Sequence, residues 1–496
     1  MAVAKKITKL KKKVRLMVNR KPKVNKKPKV RKPGSRLKPV GRKLEKVTVI
    51  FFMVLLALTA AASFVVSYMA YDKSISPAPT TGSTTLTLPG QGLAGIPGNP
   101  GRSGFPNKLD SWLRITQHSK LVGTVNDGLS NQGFSSVVSR DGSTIFVGGP
   151  NDGGRGAVWV YKLDGNVWKQ DGYKIVPFSS SSAAKFGYSI DCSRDGSSVI
   201  IGGPGDDNNM GAAWIFDRLN GQWTPAGSKH LGMGVSGIVN QGSSVAMSGD
   251  GKTIIICGEG DNNYNGTCWV FRKQNGVWVQ KTQVYPSVPV GAGSHFGSSV
   301  CVNEDGTRFF VGAKNDNSDQ GAVYTFVKNG ANWIETHKII HSETNDVGAN
   351  LFGSSVATNK DGTVLSVGAP KDGAIFDGSM WIYELSDSKW LETGTALFAK
   401  NIHGGSSNTG YSCAMNDEGT LIVASAPCDN TDQGSLVIFG KYGSDWNQIG
   451  YKFRGVGADT TSKQGSSVSM SGSGEFILSG APYDNGGLGA SFVFKV

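Results

Sequence analysis

The chain has 496 residues and a formal charge of +14, but that charge is concentrated at one end. Residues 1–46 hold 20 of the 51 Lys and Arg side chains against one acid, Glu45, which leaves 31 basic and 36 acidic side chains in the remaining 450 residues. This distribution excludes a basic globular surface, and six cysteines without a CxxC pair exclude a disulfide framework and a zinc-ligand spacing.

Residues 1–46 read as a basic tail, cytosolic or inside a virion, whose Lys/Arg density suits anionic lipid or nucleic acid. Residues 47–70, VTVIFFMVLLALTAAASFVVSYMA, form 24 positions without a charge. As a helix they reach about 36 Å, enough for a hydrocarbon core of about 30 Å. The preceding basic segment is too long for a signal peptide, so the span is expected to be a retained signal-anchor. Arg31, Lys32, Arg36, Lys38, Arg42, Lys43 and Lys46 precede it, whereas Lys73 alone closely follows. The expectation is a single-pass type II membrane protein with its C-terminal part extracellular, lumenal or on a virion surface.

Residues 71–108 are rich in Ser, Thr, Pro and Gly and cannot build a core. Within them residues 92–106 read GLA-GIP-GNP-GRS-GFP, five G-X-Y triplets. Glycine at every third position fits the axis of a collagen triple helix. Two readings stay open, a short stalk that makes a homotrimer and an extended linker.

Residues 109–496 repeat one unit seven times. Gly133, Gly187, Gly242, Gly297, Gly353, Gly410 and Gly465 each precede a serine by two positions. Eight residues after each glycine comes a turn, Asp-Gly in five units and Glu418-Gly419 and Ser473-Gly474 in the others. Eleven residues further stands Asp152, Asp206, Asp261, Asp316, Asp372, Asp429 or Asp484, and a glycine follows four to six residues later. Each unit reads as four short strands: a hairpin around the Asp-Gly turn, a third strand such as GAVYTFVK, and a fourth beginning at Trp168, Trp223, Trp278, Trp333, Trp390 or Trp446. Four such strands bury too little alone but share a core when stacked around a ring, which predicts an all-β, seven-bladed β-propeller. The seventh unit ends after its third strand, at Val496, and Trp112 near the domain start supplies the missing tryptophan. An N-terminal strand is therefore expected to complete the last blade and leave no open edge.

Phe186-Gly187, Phe296-Gly297 and Phe352-Gly353, with Gly368-Ala369-Pro370 and Gly480-Ala481-Pro482, resemble FG-GAP repeats, the units of integrin α-subunit propellers. The resemblance implies the propeller fold and a tendency toward adhesion. Gln132, Gln241, Gln464 and Thr409 replace the phenylalanine, and Cys257-Gly258-Glu259 replaces Gly-Ala-Pro. The family's calcium loops alternate carboxylates as D-x-D-x-D-G; no repeat here does so, and no calcium or other cofactor is carried over.

The seven loop aspartates are expected to close their loops by accepting backbone N–H groups, and as a ring they would give one face a cation-attracting potential. The six histidines show no metal-ligand spacing, though His337 and His341 are predicted on one face of a strand. Cys257 and Cys268 fall on adjacent predicted strands, either as a disulfide or as buried thiols, and Asn265-Gly266-Thr267 is an N-glycosylation sequon. No catalytic constellation emerges. The expected function is a membrane-anchored, surface-displayed binding or adhesion protein for a protein or glycan, on a cell or virion; the alternative is a propeller hydrolase acting on glycans with paired carboxylates.

Overall fold

A computed structural model describes residues 114–496, apart from 236, 288–292, 342–348, 374–375 and 403–405. The tail, the apolar span, the linker and Trp112 lie outside the described residues, and among the described residues no helix is long and apolar enough to cross a membrane.

Seven antiparallel sheets form a β-propeller. Blade one has β2 (Ser135–Val138), β3 (Thr144–Gly149), β4 (Ala157–Asp164) and β5 (Val167–Gln170), hydrogen-bonded in that order. The other blades repeat this meander, and the fifth adds Leu397–Phe398 against its third strand. Second strands such as TIFVGG and SVIIGG are buried throughout, because blades cover both faces of each sheet. Seven apolar clusters each join two neighbouring blades. One sets Phe476, Leu478 and Val493 of blade seven against Ile145, Val147 and Trp159 of blade one.

The glycines have a physical reason. At the start of each third strand a positive-φ glycine lies against the backbone of the next blade's Phe-Gly, Gln-Gly or Thr-Gly step. A Cβ on Gly156 would stand 2.1 Å from the Phe186 carbonyl oxygen, and one on Gly321 2.0 Å from that of Phe352. Parallel bridges join Gly156 to Phe186, Gly321 to Phe352 and Gly489 to Gln132, so the repeated glycines let one blade's backbone dock on the next.

The Asp-Gly turns differ from the expected two-residue hairpin, which needs positive φ at both residues. Here Gly142, Gly196, Gly251 and Gly306 take positive φ and their aspartates do not. Each aspartate side chain instead accepts the N–H two residues on, as Asp141 does from Ser143 at 2.9 Å and Asp305 from Thr307 at 3.0 Å. Tight turns with two positive-φ residues occur between third and fourth strands, at Asn220-Gly221 and Asn275-Gly276.

In the seventh sheet the strand beside Ala490–Lys495 is β1 (Thr116–Leu121), paired from Leu121↔Ser491 to Thr116↔Lys495 with a bulge between Gln117 and Ser119. The fourth blade has the same bulge, between its Glu335 and His337 partners. Superposing the two registers puts Ile115, which packs on the cluster between blades six and seven, where Trp333 stands. The position therefore lies three residues beyond Trp112, and a smaller apolar side chain fills it. The other fourth-strand tryptophans pack as expected: Trp168 lies edge-on to Phe476, Trp223 to Phe146 and Trp390 to Phe310, each on the preceding blade.

Candidate functional site: the axial funnel and the opposite collar

The innermost strands run along the ring axis, so their two ends define two different faces. At their C-terminal ends the residue before each Asp-Gly-type turn forms a collar. Arg194 N–H donates to the Gly249 carbonyl, Glu304 to Lys360, Lys360 to Asp417, Asp417 to Gly472 and Gly472 to Arg140, at 2.8–3.1 Å. Asp141 N–H to Arg194 and Asp250 N–H to Glu304, both 3.0 Å, complete the circle of seven. Charged side chains then cross the channel end. Arg194 binds Glu304 at 2.6 Å and Asp417 at 2.8 Å, and Arg140 donates to the carbonyls of Met415 at 2.6 Å and Thr358 at 3.2 Å.

Behind this collar lies a cavity of about 230 Å³ lined by all seven innermost strands. Asp191 faces it and accepts backbone N–H groups from Cys192 at 2.9 Å and Met247 at 2.7 Å. Burial raises its pKa to about 6, against these hydrogen bonds and the nearby Arg140. Burial also pushes the Cys301 and Cys413 thiols up, which makes them poor nucleophiles.

The opposite face carries the seven loop aspartates. All are buried, at most 3% exposed. Each backbone carbonyl of Asp206, Asp316, Asp429 and Asp484 accepts the N–H of the next repeat glycine at 2.9–3.0 Å. Side chains of Asp152, Asp206 and Asp484 accept backbone N–H groups of Asp127, Ser181 and Asp459 at 2.7–2.9 Å. Lysines then neutralise them: Lys120 on Asp484 at 2.6 Å, Lys229 on Asp206 at 2.7 Å, Lys338 on Asp316 at 2.9 Å, Lys452 on Asp429 at 2.7 Å, and Lys174 on Asp152. Burial works against the Asp206 carboxylate, yet Lys229 and the Ser181 N–H hold it below the usual range. Asp261 accepts from Thr267 at 2.7 Å, and Asp372 from Trp381 at 3.2 Å and from Ser379. After the aspartate the chain makes a left-handed turn, with positive φ at Asp207, Asn208 and Asn209 and again at Asn317, Ser318 and Asp319. Asn, Asp and Gly tolerate this conformation best, which accounts for their density there.

The lysine partners were not anticipated. Their sequence signal is a Lys five or six residues after the fourth-strand tryptophan, at Lys174, Lys229, Lys338 and Lys452. Among the described residues no group of three or more His, Cys, Asp or Glu side chains is arranged to hold a metal ion. The two histidines expected on one strand face are separated, because the strand ends at Ile339. His337 lies opposite Thr325, whereas His341 packs beyond it on Phe352 and Trp381. Cys257 and Cys268 are directly opposed across two strands and joined by a disulfide. Asn265 is half-buried, and its side-chain oxygen accepts the Gly293 N–H at 3.0 Å.

Inside the ring of aspartates, at the N-terminal ends of the innermost strands, a funnel of about 540 Å³ opens on the axis. Every blade contributes the middle residue of its G-x-S step: Phe134, Tyr188, Ser243, Ser298, Ser354, Tyr411 and Ser466. The next ring of positions is the third residue of the step aligned with Gly-Ala-Pro: proline in five blades, Glu259 and Lys314 in blades three and four. These two substitutions neutralise each other at 3.1 Å, and His295 lies 3.3 Å from the same carboxylate. Burial disfavours the Glu259 charge, but His295 and Lys314 hold its pKa below the usual range. Phe134 and Tyr188 lie with ring centroids 4.8 Å apart, and Tyr411 and Tyr483 stand half-exposed on the lining. Burial, with Glu259 and Tyr411 nearby, pushes the Tyr188 phenol up to about 12. The described lining holds one carboxylate together with aromatic rings, hydroxyls and the ammonium groups of Lys371 and Lys463. This composition suits recognition by stacking, hydrogen bonds and charge.

Compared with protein-family models and with curated proteins, the chain matches none.

Proposed function

We propose that the protein is a membrane-anchored, surface-displayed binding protein that engages its ligand in the axial funnel. In this reading residues 1–46 stay on the cytosolic or virion-interior side, residues 47–70 cross the bilayer, and residues 71–108 hold the ring away from it. The pairing of β1 with Ala490–Lys495 serves as the seal that makes the ring a rigid platform. The Phe-Gly and Gly-Ala-Pro steps favour the FG-GAP propellers as relatives, with adhesion as the matching class of activity.

One observation carries the assignment. Structural positions repeat around the ring, whereas the funnel lining departs from the repeat. The G-x-S middle residue changes among Phe, Tyr and Ser, and Glu259 and Lys314 stand where other blades have proline. A residue needed for blade packing is needed in every blade, but a ligand without sevenfold symmetry requires different side chains at equivalent positions. A hydrolase would need paired carboxylates about 5–9.5 Å apart, and the described lining supplies Glu259 alone.

The test screens the full-length protein, held in detergent micelles, against glycan and protein arrays. Tyr411→Ala and Tyr188→Ala are compared with the parent. Loss of the selected ligand in both variants, with unchanged thermal unfolding, supports the funnel; undiminished binding by both overturns it.

A further inference from the structure

We infer that the funnel selects the end of a saccharide chain bearing a carboxylate or sulfate, an inference that rests on the funnel being the binding site. The residue two places before each G-x-S glycine, directly ahead of the Phe, Gln or Thr, has positive φ in every blade: 55° at Asn131, 57° at Lys185, 56° at Asn240, 51° at His295, 55° at Leu351, 59° at Asn408 and 49° at Lys463. Asparagine tolerates this backbone better than most side chains, and the repeat uses it three times. Lys185, His295 and Lys463 occupy the same strained position with cationic or protonatable side chains. Strain retained at one position in some repeats and relieved in others points to a requirement other than folding.

The charges converge. His295 is taken up by Glu259, but Lys463 and Lys371 line the funnel itself, and Lys185, outside the lining, donates to Asn151. Lys371 forms no ion pair among the described residues, and Lys463 has a loose one, 3.8 Å from the part-exposed Asp432. Glu259, the one carboxylate of the described lining, is already matched by Lys314 and His295. The described lining therefore carries three ammonium groups against one carboxylate, although the chain beyond the tail has an acidic balance.

A saccharide fits better than an acidic peptide for three reasons. The funnel opens along the axis and is walled on all sides by seven blades, so it admits a chain end. Half-exposed Tyr411 and Tyr483 offer flat apolar faces at its edge with hydroxyls attached, matching a sugar ring that has one apolar face and many hydroxyls. Ser243, Ser298, Ser354 and Ser466 add further hydroxyls to the lining. The volume falls within the range of small-ligand sites.

The experiment measures the full-length protein on an array of matched glycans ending in a neutral hexose, a carboxylated sugar or a sulfated sugar, beside acidic peptides. Acid-terminated glycans are expected to bind about tenfold or more tightly than their neutral counterparts, with the preference weakening as salt rises. Lys463→Asn is the informative variant, because asparagine suits the backbone there. It should remove most of the acid preference while the melting temperature stays level or rises. Lys371→Gln should act in the same direction. Equal binding of neutral and acidic glycans that Tyr411→Ala still abolishes overturns the acidic ligand but leaves the funnel as the site. Glycan binding indifferent to Tyr411→Ala overturns both. Preference for acidic peptides, or binding to no glycan, overturns the saccharide assignment.

Discussion

Arg194 and Asp417 are 223 residues apart in sequence and meet at 2.8 Å across the end of the propeller channel. The contact joins blades two and six, and the same guanidinium holds Glu304 of blade four at 2.6 Å. Three blades that share no sheet are thus tied through one side chain, over a collar of backbone hydrogen bonds that passes through all seven.

Arg194→Met should therefore destabilise the ring. Asp417 and Glu304 are about four-fifths and three-quarters buried, so removing their shared cation leaves two partly desolvated carboxylates, with Arg140 still 3.7 Å from Asp417. The loss should be about 1–3 kcal/mol, below the value for fully buried pairs because water reaches the site. Urea unfolding of the purified protein measures it. Funnel binding should stay unchanged, since the collar lies at the other end of the innermost strands.

The backbone contacts between blades can be separated from backbone strain by comparing two glycines. Gly321 has a φ of +86° and would place a Cβ 2.0 Å from the Phe352 carbonyl oxygen; Gly330 has a φ of +62° and open space around it. Gly330→Ala should cost about 1–2 kcal/mol, the price of a left-handed alanine. Gly321→Ala adds a collision with the next blade's backbone and should cost about 3 kcal/mol or more. Equal melting temperatures for the two variants would remove the close approach as the reason for the repeated glycine.

Much of the ring was legible because the glycines and aspartates recur at fixed spacing in each blade. The collar was not. Its seven positions read Arg140, Arg194, Gly249, Glu304, Lys360, Asp417 and Gly472, without a pattern, since their backbone groups make the circle and their side chains meet only in three dimensions. The N-terminal strand was expected from the right stretch of chain but three residues out of register, because Trp112 mimics the repeat while Ile115 occupies the position. The funnel was hidden differently: Glu259 in place of proline reads as decay of a motif until the fold brings the changed positions onto one axis.

The phenylalanine-to-glutamine changes also have a structural cause. Gln132, Gln241 and Gln464 accept, through their side chains, the N–H of Gly123, Gly232 and Gly455, each nine residues earlier, at 2.6–2.7 Å. Those glycines lie flat on Trp159, Trp269 and Phe492. Where the repeat has Phe186, the ring packs edge-on to Trp214, and the residue nine positions earlier is Pro177, which has no N–H to satisfy. Gln241→Phe should consequently fail to restore stability despite matching the repeat. It leaves the Gly232 N–H and carbonyl buried without the two bonds Gln241 makes, a loss of about 2–4 kcal/mol in chemical unfolding. A phenylalanine variant as stable as the parent would refute the coupling.

Asp191 should govern a distinct part of the pH dependence of stability. Its pKa of about 6 in the folded protein exceeds the value of about 4 in an unfolded chain, because burial beside the channel disfavours the charge. The folded state therefore binds more protons than the unfolded state between those values. This group's contribution is most favourable below about pH 4 and declines as pH rises toward about 6, by up to about 3 kcal/mol. Carboxylates held low, such as Asp206 and Glu259, act in the opposite sense and lose their contribution as pH falls. The difference between the parent and Asp191→Asn isolates the channel group. Unfolding free energies at intervals from pH 4 to pH 7 should show the variant gaining on the parent as pH rises, then a constant offset above about pH 6.5. A difference independent of pH across that range would mean that Asp191 titrates as an exposed carboxylate does.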